Sequence, residues 1–217
     1  MDSPYVNTKL YTTVTLHPDQ MDNKIYINLK KNLEKDLLNK CFRNYGCIMD
    51  IFELVEYNNG VLEAENLMAS ALFKIAFTCR LCRPLKNRNI IAQVHRVNKV
   101  LITLENGPIL IIITNDRIND KIFFSDNNNN LRYKIKNESK VLKPNEFVKI
   151  TIVSLTFNNG DSKIKAIGFL DDMATEEEIK TFYKDQYDNS KELQNFEDYV
   201  KQETAIPHEA DITANAE

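Results

Sequence analysis

The sequence predicts an α+β protein in two parts: strands around one long amphipathic helix at the front, and a small closed β-barrel behind. Three observations carry this. Leu29, Leu33, Leu37 and Cys41 recur every four residues, a spacing that lines apolar side chains along one face of a helix. From Ile90 to Leu170 the apolar segments are short, turn-punctuated and free of helical period, as in a barrel. Between these textures lies Arg83–Asn89, polar, basic and broken by Pro84, which reads as a domain boundary.

The elements follow in order. Lys9–His17 alternates, with Leu10, Thr12, Val14 and Leu16 on one face, and Pro18 ends it as a strand. The helix is expected over Lys24–Tyr45, with Asp22 or Asn23 as cap, Leu38, Phe42 and Tyr45 widening its stripe, and Gly46 closing it. Cys47–Tyr57 reads as a strand, and Asn58-Asn59-Gly60 supplies residues that tolerate positive φ in a tight turn. A third strand, Ala71–Arg80, follows Val61–Ser70. The barrel strands are expected at Ile90–Val97, Val100–Leu104, Ile109–Thr114, Leu131–Ile135, Phe147–Phe157 and Lys163–Leu170. The apolar face switches from Val148, Ile150 and Ile152 to Val153, Leu155 and Phe157, which marks a bulge. Thr175-Glu176-Glu177-Glu178 is a capping box before Ile179, Phe182, Tyr183 and Tyr187; a second helical stripe, Leu193, Phe196 and Val200, opens near Ser190. The expected divisions are residues 1–84, 85–173, a helical extension 174–204, and a disordered tail 205–217 with almost nothing to bury.

Composition excludes several classes. With 43% hydrophobic and 27% charged residues and only five Gly and six Pro, the chain reads as an ordinary folded protein. Runs such as Ile109–Ile113 are too short to span a bilayer, and Met1-Asp2-Ser3-Pro4 begins no secretory signal, so neither membrane nor secretion is expected. Residues 1–173 carry 24 Lys and Arg against 19 Asp and Glu, while 174–217 carry 4 against 12, so a mildly basic body precedes an acidic tail. Cys79-Arg-Leu-Cys82 is the single metal-like or redox-like motif. On a strand, residues three apart point to opposite faces, and neither Cys41 and Cys47 nor any His completes a ligand set. Free thiols in a reducing compartment are expected, with no metal and no cofactor. No phosphate loop, nucleophile elbow or zinc-protease motif occurs, and His17, His95 and His208 lie far apart, so no catalytic residue is assigned.

Taken in order, Val14-Thr15-Leu16-His17-Pro18, Gly46-Cys47-Ile48-Met49-Asp50-Ile51, Asn59-Gly60-Val61-Leu62 and Phe73–Phe77 running to Arg83-Pro84 resemble the stalk subunit, subunit seven, of archaeal and eukaryotic RNA polymerases. Val94–Lys99, Glu105–Ile109 and Ile164–Gly168 resemble that family's RNA-binding OB-type barrel. The resemblance covers about residues 9–172. It implies a truncated ribonucleoprotein-like wedge, an OB-type barrel and a helical tail, in a non-catalytic subunit bound to the polymerase core near the RNA exit path. The docking turn would be Asn58, Asn59, Gly60, Val61 and Leu62, where a bulky residue at Gly60 is expected to abolish docking with the fold retained. Arg88, Arg96, Lys99, Arg117, Lys121, Tyr133 and Lys149 would contact nascent single-stranded RNA, with Lys134 and Lys165 as further cations and Phe123 and Phe124 as further stacking groups. Related barrels carry Gly-x-Phe on the second strand where this chain reads Val100-Leu101-Ile102, so stacking there is reduced. A helical subunit-four-like partner is implied, or this chain's own tail in its place. The protein would act in nucleus, cytoplasm or virion, wherever its polymerase acts; heavy Asn, Lys and Ile usage fits the AT-rich genome of a large DNA virus. The rival readings are a free-standing OB-type RNA-binding factor of translation or RNA decay, and then a zinc or redox protein.

Overall fold

In the computed structural model the front half is built on one antiparallel sheet, and the structure describes residues 3–62, 67–98, 100–126, 131–135 and 138–183. β1 (Tyr5–Leu16) pairs along its whole length with β5 (Ala71–Cys82), from Tyr5 opposite Cys82 to Leu16 opposite Ala71. β3 (Gly46–Tyr57) flanks β5 on its other side, with register shifts, and β2 (Cys41–Phe42) closes the edge, giving the order β1-β5-β3-β2. β4 (Val61–Leu62) pairs with the start of β5.

One face of this sheet is covered by α1 (Ile25–Leu37), whose Leu29 and Leu33 are fully buried against Val14, Ile48, Ile51, Phe73, Ile75 and Phe77. Each such leucine contributes roughly 1.5–3 kcal/mol by leaving water. Asn32 Nδ2 donates to the Thr15 carbonyl (3.0 Å) and Lys30 Nζ to the Phe52 carbonyl (3.1 Å), which fixes the helix along the strands.

The helix is shorter than its stripe promised. Leu38 is extended and Asn39 takes φ of 58°, a left-handed turn that ends the helix. Lys40 Nζ then donates to the free carbonyls of Lys35 and Asp36 (3.1 and 2.8 Å), so Cys41 and Phe42 leave the helix and enter β2. Gly46, with φ of 114°, starts β3 rather than capping α1.

Behind this sheet, β6 (Asn89–Val97), β7 (Leu101–Asn106), β8 (Ile109–Thr114), β12 (Phe147–Thr156) and β13 (Ile164–Met173) close a barrel in the order β12-β13-β8-β7-β6, with β12 returning to β6. All its pairings are antiparallel except β8 with β13, an OB-like arrangement. Alternate residues fill the interior: Ile102 and Leu104, then Ile109, Ile111 and Ile113, then Val148, Ile150 and Ile152 are all buried. The predicted bulge is present, since the β12–β13 register shifts between Ile152 and Ser154 and leaves Val153 outside.

The expected barrel strand Leu131–Ile135 lies elsewhere. As β10 it joins β9 (Phe123–Ser125) and β11 (Glu138–Val141) in a separate three-stranded sheet inserted between β8 and β12. A five-strand barrel is already closed without it, and Leu131 and Tyr133 are buried in this small sheet instead, Tyr133 beside Phe123. The chain is helical again over 176–183, with Phe182 buried. The expected stripe from Ser190 and the 205–217 tail lie outside the described residues.

Candidate docking and nucleic-acid interface

The turn over Asn58–Leu62 is built by β3 and β5. Asn58 N donates to the Lys74 carbonyl (3.1 Å) while Lys74 N donates to Asn58 Oδ1 (2.8 Å), so one side chain completes the hairpin ladder. Gly60 follows with φ of 75°, and a Cβ there would lie 2.7 Å from Cζ of Phe73, a core ring. A bulky residue at Gly60 therefore disturbs the fold as well as the turn, which corrects the expectation that it would leave the fold intact. Val61 and Leu62 are 53% and 64% exposed, and Leu67 and Met68 beyond them are more exposed still. These exposed apolar side chains stand at the end of the sheet. An open recess of about 690 Å³, lined by Tyr11, Tyr57, Asn58 and Lys74 among others, adjoins it.

The predicted RNA-facing residues are not gathered in one place. Arg96 is exposed on β6, opposite Thr103, and Arg88 is exposed in the loop before β6, its carbonyl accepting from Ile152 N (3.0 Å). Arg117 sits in a 3-10 turn after β8 with Asp116 at 3.9 Å, and Lys121 is exposed two residues before β9. Lys165 is exposed on β13. Lys99 lies outside the described residues. Lys149 is taken up by Glu178 (2.7 Å), and this bond, with those from the Thr175 backbone and hydroxyl, holds the Glu178 carboxyl down at about 2. The capping box read from the sequence is thus formed and tied to the barrel. Tyr133 is buried, its hydroxyl donating to Glu146 (3.4 Å), and burial followed by the Glu146 charge raises its pKa. Such a ring presents no face on which a base can stack, and the same holds for Phe123, 1% exposed.

Phe124 and Lys134 do lie together, with Lys134 Nζ 5.6 Å from the Phe124 ring centroid. Arg132 shares their face and was missed; the alternation Leu131-Arg132-Tyr133-Lys134 was the signal that could have found it.

Also unforeseen is the seam joining sheet and barrel. Tyr5 donates from its hydroxyl to Asn106 Oδ1 (3.2 Å), and Asn106 Nδ2 donates to the Ile91 carbonyl (2.6 Å). Cys41 N donates to the Asp161 carbonyl (2.7 Å), Gly160 N to the Cys41 carbonyl (2.9 Å) and Arg43 N to Asn159 Oδ1 (2.8 Å), so β2 holds the turn between β12 and β13. Arg80, 7% exposed, lies over the Tyr5 ring at 4.9 Å, an aromatic face that partly replaces lost water. Asp50 is raised by burial, with the Arg80 charge opposing.

The cysteines depart in part from expectation. Cys41 and Cys47, directly opposite across β2 and β3, form a disulfide, so these two are not free thiols. Cys79 and Cys82 are free and buried; Cys79 lies in the helix-side core, whereas Cys82 stands opposite Cys47. Burial pushes their thiols up to about 11 and about 12, which leaves little reactive thiolate.

Comparison with known proteins adds the following. Over 184 residues the chain is 33% identical to a putative DNA-directed RNA polymerase subunit, L376, of Acanthamoeba polyphaga mimivirus, covering 85% of this chain and 90% of that one. Over 115 residues it is 26% identical to DNA-directed RNA polymerase II subunit RPB7 of Glycine max, covering 53% of this chain and 64% of that one. No protein-family profile matches.

Proposed function

Since the chain belongs to the RPB7-like family of DNA-directed RNA polymerase subunits, we propose that it is a non-catalytic stalk subunit that binds the core enzyme by the Asn58–Leu62 turn and presents its barrel near emerging RNA. On this reading residues 1–84 are the docking wedge, of truncated ribonucleoprotein type, and 85–173 the RNA-facing OB-type barrel. The observation that carries it is the exposure of Val61 and Leu62 beside a turn at the end of the sheet, outside the core that α1 covers. Apolar side chains held in water by a fixed turn gain most from a partner that covers them. A helical, subunit-four-like partner is a second contact on this reading, and the protein works wherever its polymerase does, including a virion. No helix among the described residues is long and apolar enough to cross a membrane.

The test is capture of the large catalytic subunits by the tagged full chain in extracts of its native source. The Val61→Asp, Leu62→Asp double variant is expected to lose them while melting as the parent does. Undiminished capture by that variant removes the turn from the interface; no capture by the parent removes the polymerase reading altogether.

A further inference from the structure

An OB-type barrel usually takes a single strand on its second and third strands and on the loops beside them. Here those means are depleted. β6, β7 and β8 contain no Phe, Tyr or Trp, so apart from the His95 imidazole they offer a base no aromatic face. The turn between β12 and β13, one of the loops in question, is already hydrogen-bonded to β2 through Cys41 and Arg43. A Phe or Tyr ring for stacking must come from outside these three strands.

The inserted sheet supplies what they lack. Its register sets Phe123 opposite Tyr133 and Phe124 opposite Arg132. Alternation turns Phe123, Leu131 and Tyr133 inward, where all three are buried, and turns Phe124, Arg132 and Lys134 outward. Phe124 stays only half-buried. Arg132 Nη2 is held by Asp126 at 2.8 Å, which fixes that side chain and offsets the Asp126 charge. Lys134 is exposed, makes no ion pair among the described residues, and lies 5.6 Å from the Phe124 ring. An aromatic face beside an uncommitted cation on an open sheet is the arrangement that binds a nucleotide by stacking and by phosphate attraction together.

We infer that the outward face of β9 and β10, formed by Phe124, Arg132 and Lys134, stacks one base of single-stranded RNA and binds the adjacent phosphate. This rests on the polymerase-subunit reading for the source of the RNA; the contact itself rests on the register and the ring–cation geometry.

The experiment uses the full chain and a short fluorescein-labelled oligouridylate followed by anisotropy at several salt concentrations. Phe124→Leu keeps an apolar side chain but loses the aromatic face, and is expected to weaken binding roughly 5- to 150-fold at unchanged melting temperature. Lys134→Gln is expected to lower the slope of log affinity against log salt by about 0.7, the contribution of one phosphate on a single strand. Since the chain contains no tryptophan, Phe124→Trp places a sole tryptophan at the site, selectively excitable beside the tyrosines, and oligouridylate should quench it saturably, which a merely structural ring would not show. Parent-like affinity in Phe124→Leu, unquenched Phe124→Trp emission at saturating RNA, or no RNA binding by the parent chain overturns the assignment. Loss of core capture in Phe124→Leu with RNA affinity intact also overturns it, and makes the face a protein contact. If the parent fails to capture the core while Phe124→Leu still weakens RNA binding, the polymerase reading fails and the site stands.

Discussion

Replacing Gly60 with alanine adds one carbon at a position with φ of 75°, and that carbon falls 2.7 Å from Cζ of Phe73. Two costs follow. The left-handed backbone disfavours any L residue with a Cβ by roughly 1–2 kcal/mol. The ring, 5% exposed and packed in the helix-side core, must shift into occupied space, an overpacking cost of about 1–3 kcal/mol. Together they lower stability by roughly 2–5 kcal/mol, or about 4–20 °C in melting temperature for a chain of this size. Val61→Asp and Leu62→Asp change side chains that are 53% and 64% exposed and cost within about 0.5 kcal/mol. Circular dichroism melts of the two proteins beside the parent, with core capture measured on each, separate fold from docking. Gly60→Ala is expected to melt lower, and the Asp pair to melt unchanged but lose the core. A Gly60→Ala protein with the parent's melting temperature would refute the reasoning, because the ring would then be free to move aside.

Three further outcomes are expected. Asn106→Leu deprives the Ile91 carbonyl of its Asn106 donor and should cost ~1–3 kcal/mol in urea denaturation, with Tyr5→Phe costing ~0.5–1.5; the double variant should cost less than the sum, and strict additivity would break the proposed link. Glu178 is held at about 2 against an ordinary 4.5, so its tie to Lys149 stabilises the fold fully above pH 4.5 and is lost as pH falls towards 2. A carboxyl carbon titration by NMR should place its midpoint near 2 and Lys149→Ala should raise it; an unmoved midpoint would show that the ion pair is not the cause. Cys41→Ser opens the short loop closed by Cys47 and should cost roughly 2 kcal/mol, a difference that reductant erases. A parent chain with four alkylatable thiols under non-reducing conditions would contradict the disulfide.

The strands at 5–16, 46–57, 71–82 and around the barrel were legible because alternation is a local property, and the turn at 58–62 because Asn-Asn-Gly declares its backbone. The helix end was not legible. The four-residue spacing runs on through Cys41, and nothing local says that Asn39 will turn left and hand Cys41 to a hairpin partner six residues later. Membership of the inserted sheet was equally hidden, since Leu131–Ile135 alternates as a barrel strand would, and only closure of five other strands excludes it.

Sequence alone determined the long strands of the sheet and barrel, the two textures of the chain, the capping box at Thr175 and the β12 bulge, all set by neighbours within a few residues. Tertiary structure alone decided which cations remain available. Lys149 and Glu178 stand 29 positions apart, Tyr5 and Asn106 stand 101 apart, and Tyr133 turns inward while Lys134 turns outward. Charge and aromaticity are properties of residues; exposure and pairing belong to the packed chain, because only packing brings distant partners within bonding distance.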